Sequence, residues 1–458
     1  MSDVRLYYEE VLRDMKREVD ESEGRTIKKL IDDHMAVAKV QAVGERYYNE
    51  CHDIIDLEPK TDAYGNIDES KPDWRMIANF HSNQVDQKVG YLIAEPINFK
   101  ADKPVLEKIG EVLNDEFDDL MNDLLTAASN KGIEWLHIYY NEDGDLKLMQ
   151  VPAEQIVPVY DERGNLELII RHYALNDKNK AEVWSPEEVS YWQENGGEYV
   201  PDYYYGESHV MTHYSDESWG RIPFIPFRNN SYEKGDIWKY KTQIDAFNKR
   251  LSDIQNTFDE STEIIFALRG FRGENLGEFL KNLKHYKAIS LGTDGGIDTL
   301  SVKIPIEETK QYLDMLKDMI IDLGRGVDFN TNKFGNSPSG VALKILYSGL
   351  DIKAKQLERK TRVALKELLW FIFKAKGIEG NHEDIEMTFR YNKLKNDLED
   401  AQIAGMSKGI ISDETILSNH PWVDDMQGEQ ERLQAQELSL NSRLPEIKVG
   451  GIDEPGTD

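Results

Sequence analysis

The chain has 458 residues, with 55 Lys and Arg against 85 Asp and Glu, a formal charge of −30, and one cysteine, Cys51. A single core rarely grows past roughly 250–300 residues, so several structural units are expected. One cysteine excludes a disulfide framework and an all-thiolate zinc site, and the acidic balance argues against an ordinary nucleic-acid binder, which shows a basic footprint.

The N-terminal stretch MSDVRLYYEEVLRDMKREVDE is charged throughout and lacks the apolar centre and cleavage site of a signal peptide. The longest apolar stretches, such as ALKELLWFIF at 364–373, fall short of the ~20 residues that span a bilayer. A soluble, intracellular protein without a membrane helix is expected. The first 55 residues read as helix, with candidate turns at Glu23-Gly24 and Val43-Gly44. TDAYGNIDESKPD at 61–73 reads as a polar loop, and Trp74 to Leu92 resumes a helical pattern. Leu106, Ile109, Leu113, Phe117, Leu120 and Leu124 repeat at helical spacing and predict a helix capped by Gly132. Strands follow over Ile133–Tyr140, Leu146–Val151, Ile156–Tyr160 and Leu166–Leu175, separated by the turns Glu142-Asp143-Gly144 and Glu162-Arg163-Gly164, with more expected between Lys180 and Tyr214.

From Gly235 the pattern changes. Ile237, Tyr240, Ile244, Phe247, Leu251, Ile254 and Phe258 are spaced 3, 4, 3, 4, 3, 4, a heptad seam on one long helix. A second helix runs from about Ile306 to Leu323, with Leu313, Leu316, Ile320 and Leu323 on one face. Between them lie 43 residues, 263–305, with strand-like EIIFALRG and KAISLGTDGG flanking a short helix GENLGEFLKNL. An insert carried on two long antiparallel helices projects from the body. The polar loop DFNTNKFGNSPSG at 328–340 leads into a helix of about 35 residues ending near Lys376, and the chain closes on RLPEIKVGGIDEPGTD, which has the composition of a disordered tail. Charge divides along the same lines: residues 1–235 hold 25 basic and 48 acidic groups, 236–376 hold 23 and 19, and 377–458 hold 7 and 18.

Catalytic and metal motifs are weak. There is no G-x-x-x-x-G-K-[ST] loop and no G-x-G-x-x-G after a strand. GNSPSG at 335–340 misses the nucleophile elbow at its second glycine, where Ser339 stands. His209 and His213 fall in a strand-and-loop context where i and i+4 are too far apart for one ion. Cys51-His52 has no third ligand, and the clusters Asp115, Glu116, Asp118, Asp119 and Asp397, Glu399, Asp400 read as solvated helix faces. No catalytic residue, metal site or cofactor is assigned.

Five local signatures, in order, carry a family resemblance: NFHSNQVDQKVGYLIAEPINF at 79–99, GIEWLHIYYNEDGDLKLMQVPAEQIVPVYD at 132–161, GRIPFIPFRNNSYEKGD at 220–236, DAFNKRLSDIQNTFDE in the first long helix, and SGVALKILYSGLDIKAKQLERK at 339–360. Over about residues 25–425 the chain resembles the portal proteins of tailed double-stranded DNA phages, in the branch of long-tailed phages of Gram-positive bacteria. The resemblance implies an α+β portal fold assembled as a ring of about twelve copies at one capsid vertex, with DNA passing along its axis. It implies an N-terminal region and wing over 1–235, stem helices over 236–262 and 306–327, and a small α/β clip over 263–305. A tunnel loop follows at 328–338, then a long kinked helix over 339–376, a helical crown over 377–430 and a tail over 431–458.

The expected sites follow from this division. The stem seam would hold neighbouring subunits through Ile244, Phe247, Leu251, Ile254, Phe258, Leu313, Leu316 and Ile320, although an ordinary intramolecular hairpin explains the same heptads. The clip would dock the packaging motor and the connector through Arg269, Arg272, Lys281, Lys284, Lys287 and Lys303, set against four acids between 264 and 305. Asn330, Asn332, Lys333, Phe334 and Asn336 of the tunnel loop would face passing DNA. Implied partners are further copies of the chain, double-stranded DNA bound transiently, the terminase large subunit, the major capsid and scaffolding proteins and a head-completion connector, in a virion. The competing readings are a phage DNA enzyme, such as a nuclease or the packaging ATPase, and a capsid or tail interaction protein without a channel.

Overall fold

Apolar residues at helical spacing build the first element, α1 (Glu23–Tyr48), which buries Ile27, Leu30, Ile31, Ala38 and Tyr47. The computed structural model describes residues 23–62, 64–68, 71–203, 208–214, 217–261, 265–269, 277, 296–300, 306–328, 340–392, 397–418, 420, 422–423 and 426–441. Gly44, expected at a turn, lies inside α1. A Cβ there would sit 1.9 Å from the Asn130 carbonyl oxygen, so the glycine serves a close approach of two helices rather than a bend.

The expected helix from Trp74 begins late. Residues 72–79 form neither helix nor strand, and α2 covers Phe80–Leu92, with Asn79 as N-cap. The next expected helix is two: α3 (Lys103–Gly110) and α4 (Asp115–Lys131). Asn114 breaks the pattern because its side chain accepts hydrogen bonds from Glu116 N at 3.0 Å and Phe117 N at 3.3 Å. Asp115, Glu116 and Asp118 then fall in the first turn, where carboxylates offset the exposed N–H groups. Gly132 ends α4 in the left-handed region, as the sequence predicts.

Strands β2 to β10 form two antiparallel sheets. β2 (Ile133–Tyr140) lies between β3 (Leu146–Val151) and β10 (Phe224–Arg228). β4 (Ile156–Tyr160), β5 (Leu166–Leu175), β6 (Lys178–Trp184), β7 (Glu188–Asn195) and β8 (Glu198–Pro201) meander in order, and β9 (Val210–Thr212) also pairs with β7. Ile133, Trp135, Val151, Ile156, Ile169, Trp184 and Phe224 form one core from both sheets, while Ile27, Leu30 and Ile31 of α1 pack against Val157, Ile170, Trp192 and Tyr199. Both expected hairpin turns are present, and the 61–67 loop repeats their chemistry: Asp62 Oδ1 accepts from Tyr64 N and Asn66 N as Asp161 Oδ1 does from Arg163 N and Asn165 N.

Beyond β10 come α5 (Lys241–Ser261), the antiparallel pair β11 (Ile265–Arg269) and β12 (Gly296–Leu300), α6 (Ile306–Gly324) and α7 (Gly340–Lys376). α7 ends at Lys374 and Lys376, followed by Gly377 at φ 56°. The described chain thus mixes helix and sheet, the α+β class read from the sequence.

Two compact units divide the chain. The larger takes residues 1–328 and 349–392, the smaller 329–348 and 393–458. β1 (Asn98–Lys100) pairs with β13 (Glu386–Thr388), so residues 377–392, expected at the start of a crown, belong to the larger unit. In the smaller unit α8 (Asp397–Ser407), α9 (Asp413–Ser418) and α10 (Met426–Asn441) follow one another. α10 occupies 431–441, where a disordered tail is expected, because the tail's Gly and Pro begin only beyond it.

Gly44→Ala should lower stability by about 1–3 kcal/mol, because the new methyl collides with backbone. Gly90→Ala in α2, with open space around its Cβ, should raise it by about 0.5–1 kcal/mol. Thermal midpoints of the two variants, moving in opposite directions, check both.

Candidate functional site

The helical hairpin α5–α6 carries the residues singled out as a stem, and its seam is divided. Ile237, Tyr240, Ile244 and Ile320 form a buried cluster with Tyr47 of α1, and Phe247 packs against it with its ring edge-on to Phe80, centroids 5.0 Å apart. Leu316 is buried as well. Ile244, Leu316 and Ile320, expected between subunits, are therefore covered by their own chain. Further along, Leu313, Leu251 and Ile254 are only half-buried and Phe258 is 40% exposed. The helix also starts later than expected: Asp236–Lys239 is a 3-10 turn and Tyr240 leaves helical geometry before α5 begins.

Beside the heptad seam runs a buried polar stripe that the heptad count passes over. Asn248, Ser252 and Asn256, at i, i+4 and i+8, are all under 7% exposed. They hold the extended segment 74–78 by its backbone: Ala78 N donates to Asn248 Oδ1 at 2.9 Å, Met76 N to Ser252 Oγ at 2.8 Å and Trp74 N to Asn256 Oδ1 at 2.7 Å. Four helical residues rise about 6.0 Å and two extended residues about 6.7 Å, so every fourth helix position meets every second position of the segment. Asn248 Nδ2 donates in turn to His52 Nδ1 at 2.7 Å, while His52 Nε2 donates to Tyr47 O at 3.1 Å, and burial lowers the His52 pKa.

Both feet of the hairpin are clamped by one face of α2. At the first, buried Asp236 accepts from Lys88 Nζ at 2.7 Å, lies 3.2 Å from Lys353 Nζ of α7 and 3.0 Å from Lys239 Nζ, and accepts from Asn229 Nδ2 at 3.1 Å. Burial alone would push this carboxyl up, but Lys353, Lys88 and Lys239 together outweigh it and hold it well below the usual range. Burial lowers the Lys88 ammonium to about 7. At the second foot Gln87 brackets Val327, accepting from its N–H at 2.9 Å and donating to its carbonyl at 3.2 Å. A third buried group, Lys131 at the end of α4, meets Glu154 at 2.9 Å and Glu45 and Glu134 at 3.1 Å, tying α1 and β2 together.

The other expected residues stand apart from this frame. Arg269 ends β11, in register with Gly296 of β12. Arg272, Lys281, Lys284, Lys287 and Lys303 lie outside the described residues, as do Asn330, Asn332, Lys333, Phe334 and Asn336. His209 packs edge-on to Trp192, centroids 5.3 Å apart. His213 donates from Nε2 to Ser185 O at 3.0 Å and accepts at Nδ1 from Trp219 N at 3.2 Å, so both its ring nitrogens serve the sheet. Among the described residues no group of three His, Cys, Asp or Glu is arranged to hold a metal ion.

The arrangement is a helical hairpin tied at both feet to α2, suited to holding and positioning. Residues 27–441 match the family described as "Phage portal protein, SPP1 Gp6-like". The chain is 32% identical over 472 aligned positions to the portal protein of Bacillus phage SPP1, covering 98% of this chain and 92% of that one. It is 34% identical over 427 positions to the portal protein of Clostridium phage phiCD119, covering 86% and 92%. In fold it is similar to a chain in the structure titled "Virion of native gene transfer agent (GTA) particle", at 13% identity and a TM-score of 0.44, over 73% of this chain and 87% of that one.

Asp236→Asn should cost about 3–5 kcal/mol, since it leaves Lys88 and Lys353 buried without a counter-charge. Lys88→Met should cost less, because Lys353 and Lys239 still face Asp236. The double variant should fall short of the sum of the two; denaturant midpoints measure all three.

Proposed function

The chain belongs to the phage portal protein family, SPP1 Gp6-like, and from that premise we propose that about twelve copies close into a ring whose axial channel passes double-stranded DNA. The observation that carries this reading is the match to portal proteins along almost the whole chain. The stem hairpin, footed in the body and bearing the 263–305 insert at its far end, supports it. The ring sits at one capsid vertex of the virion, after assembly in the host cytoplasm among major capsid and scaffolding proteins. The clip docks the terminase large subunit during packaging and a head-completion connector afterwards, through the basic groups Arg269, Arg272, Lys281, Lys284, Lys287 and Lys303.

The protein acts as a conduit rather than an enzyme. The packaging ATPase reading needs a phosphate-binding loop of the G-x-x-x-x-G-K-[ST] type, which the sequence lacks. A channel lined by many like charges repels the phosphate backbone, and a few basic groups keep the duplex centred, so DNA slides without being held. Purified protein should appear in negative stain as rings with a central hole. Monomers that cleave DNA with added divalent metal would overturn the reading.

In the tunnel loop, Lys333 is the only basic side chain between Asp328 and Gly340. It touches phosphates briefly, while Asn330, Asn332 and Asn336 offer weak amide contacts and Phe334 stands beside it. Lys333→Ala should leave rings intact and alter DNA retention, and Gly335→Val should stiffen the loop and hinder passage more. Packaged DNA length per particle reads both; wild-type values in both would reduce the loop to a linker.

A further inference from the structure

His52 is wholly buried, its ring stacked on that of Tyr47 with centroids 4.3 Å apart, and its two nitrogens have opposite duties. Nε2 lies 3.1 Å from Tyr47 O, a carbonyl that can only accept, so Nε2 carries the proton. Nδ1 lies 2.7 Å from Asn248 Nδ2, an amide nitrogen that can only donate, so Nδ1 offers its lone pair. The orientation of that amide is fixed independently, because its other end, Oδ1, accepts from Ala78 N at 2.9 Å. The three bonds together are consistent only with a neutral imidazole.

A second proton has no place in this arrangement. On Nδ1 it would point at the Asn248 amide nitrogen, donor against donor in a dry interior. Turning the amide to present Oδ1 to the ring satisfies the proton but sets Nδ2 against Ala78 N. The first rung between α5 and the 74–78 segment is then lost. The other two rungs, Met76 N to Ser252 and Trp74 N to Asn256, run to an alcohol and an amide that do not titrate.

The charged groups around the ring are matched to one another. Lys241 Nζ of α5 meets Asp245 at 2.8 Å and Asp53 at 2.6 Å, and Arg46 of α1 meets Asp53 at 2.7 Å. Asn79, at the N-cap of α2, donates to Tyr48 O at 3.1 Å and accepts from Ser82 N at 3.4 Å. Burial outweighs the pull of Tyr47 O, Asp245, Asn79 and Asp53 toward the charged ring, so the His52 pKa is lowered.

We propose that His52 is a proton-sensitive latch on the 74–78 strap: neutral, it holds the strap against the stem helix α5, and protonated at Nδ1 it frees the strap's first rung. The latch lies within one copy and does not depend on the ring reading. The strap runs from Asn79 to Trp74, whose indole donates to Asp259 Oδ2 at 2.6 Å near the end of α5, so acid loosens this brace of the stem from the α2 end. Release returns the ring toward its ordinary pKa of about 6.5; the closed strap therefore keeps its full stability above that pH and loses it as the pH falls below.

The test is amide hydrogen exchange on the full chain at about pH 7.5 and about pH 5.5, corrected for the intrinsic rate at each pH, the lower value being about one unit below the free imidazole. Protection of Ala78 should fall by up to about tenfold at the lower pH, the limit for one proton over one unit. His52→Gln, whose amide can still donate to Tyr47 O but does not titrate, should show no such fall. Asn248→Asp supplies a carboxylate that accepts from both Ala78 N and a protonated ring, so it too should keep Ala78 protected at the lower pH; it carries the test if circular dichroism shows His52→Gln unfolded. Equal wild-type protection at both pH values would overturn the latch. So would a fall as large in either folded variant as in wild type, or one shared equally by the amides of α4, which would mean global opening.

Discussion

The buried Asp236 carboxylate is the point on which the stem depends. It stands at the step from sheet to stem, seven residues after Asn229 and five before α5, and its partners come from three other places: Lys88 in α2, Lys353 in α7 and Asn229 after β10. A charge in a dry interior is tolerated only when geometry and hydrogen bonds are complete, and here each oxygen has more than one partner. Removing the carboxylate strands two buried lysines, Lys88 and Lys353, so α2, α7 and the start of α5 are held in one arrangement. Gln87, one position before Lys88, fixes the other foot at Val327. Load on the far end of the hairpin is therefore carried into α2 and α7 at once.

Electrostatics and burial pull in different directions in such a chain. At −30 per copy, like charges oppose association, and the opposition weakens as salt screens it. Cohesion between copies must come from apolar contact, which salt does not screen. The same charge that resists assembly suits a conduit, because a wall that attracts phosphate strongly would stall the duplex. The near-neutral middle of the chain, 23 basic against 19 acidic groups over 236–376, is the part assigned to stem, clip and tunnel loop, where acidic repulsion would otherwise be concentrated.

Much of the fold was legible because local signals agreed. Alternating apolar residues closed by glycine turns placed β2 to β5 with the bounds found, and 3.6-residue periodicity placed α6 and α7. The failures share a cause: the deciding partner lies far away in sequence. Residues 74–79 have helical spacing, yet their N–H groups find better acceptors on α5, 170–182 positions on. Gly44 has the composition of a turn, yet its role is set by the Asn130 carbonyl. Asn114 did offer a local cap signal, which the longer apolar repeat masked. At the site the seam was readable from heptads, but its division was not. Whether Ile244 meets a neighbour or its own chain depends on Tyr47, which no spacing within the stem reports.

The polar ladder runs beside that seam. Its two repeats differ by about 0.7 Å per rung, so a helix and an extended segment that start in phase drift apart within a few rungs. Three rungs form, and at the last Asn256 makes two bonds, accepting from Trp74 N at 2.7 Å and donating from Nδ2 to Trp74 O at 3.3 Å. Beyond it the Trp74 indole still reaches Asp259, and Phe258 on the heptad seam is 40% exposed. The last rung falls about three-quarters of the way along the helix, at Asn256.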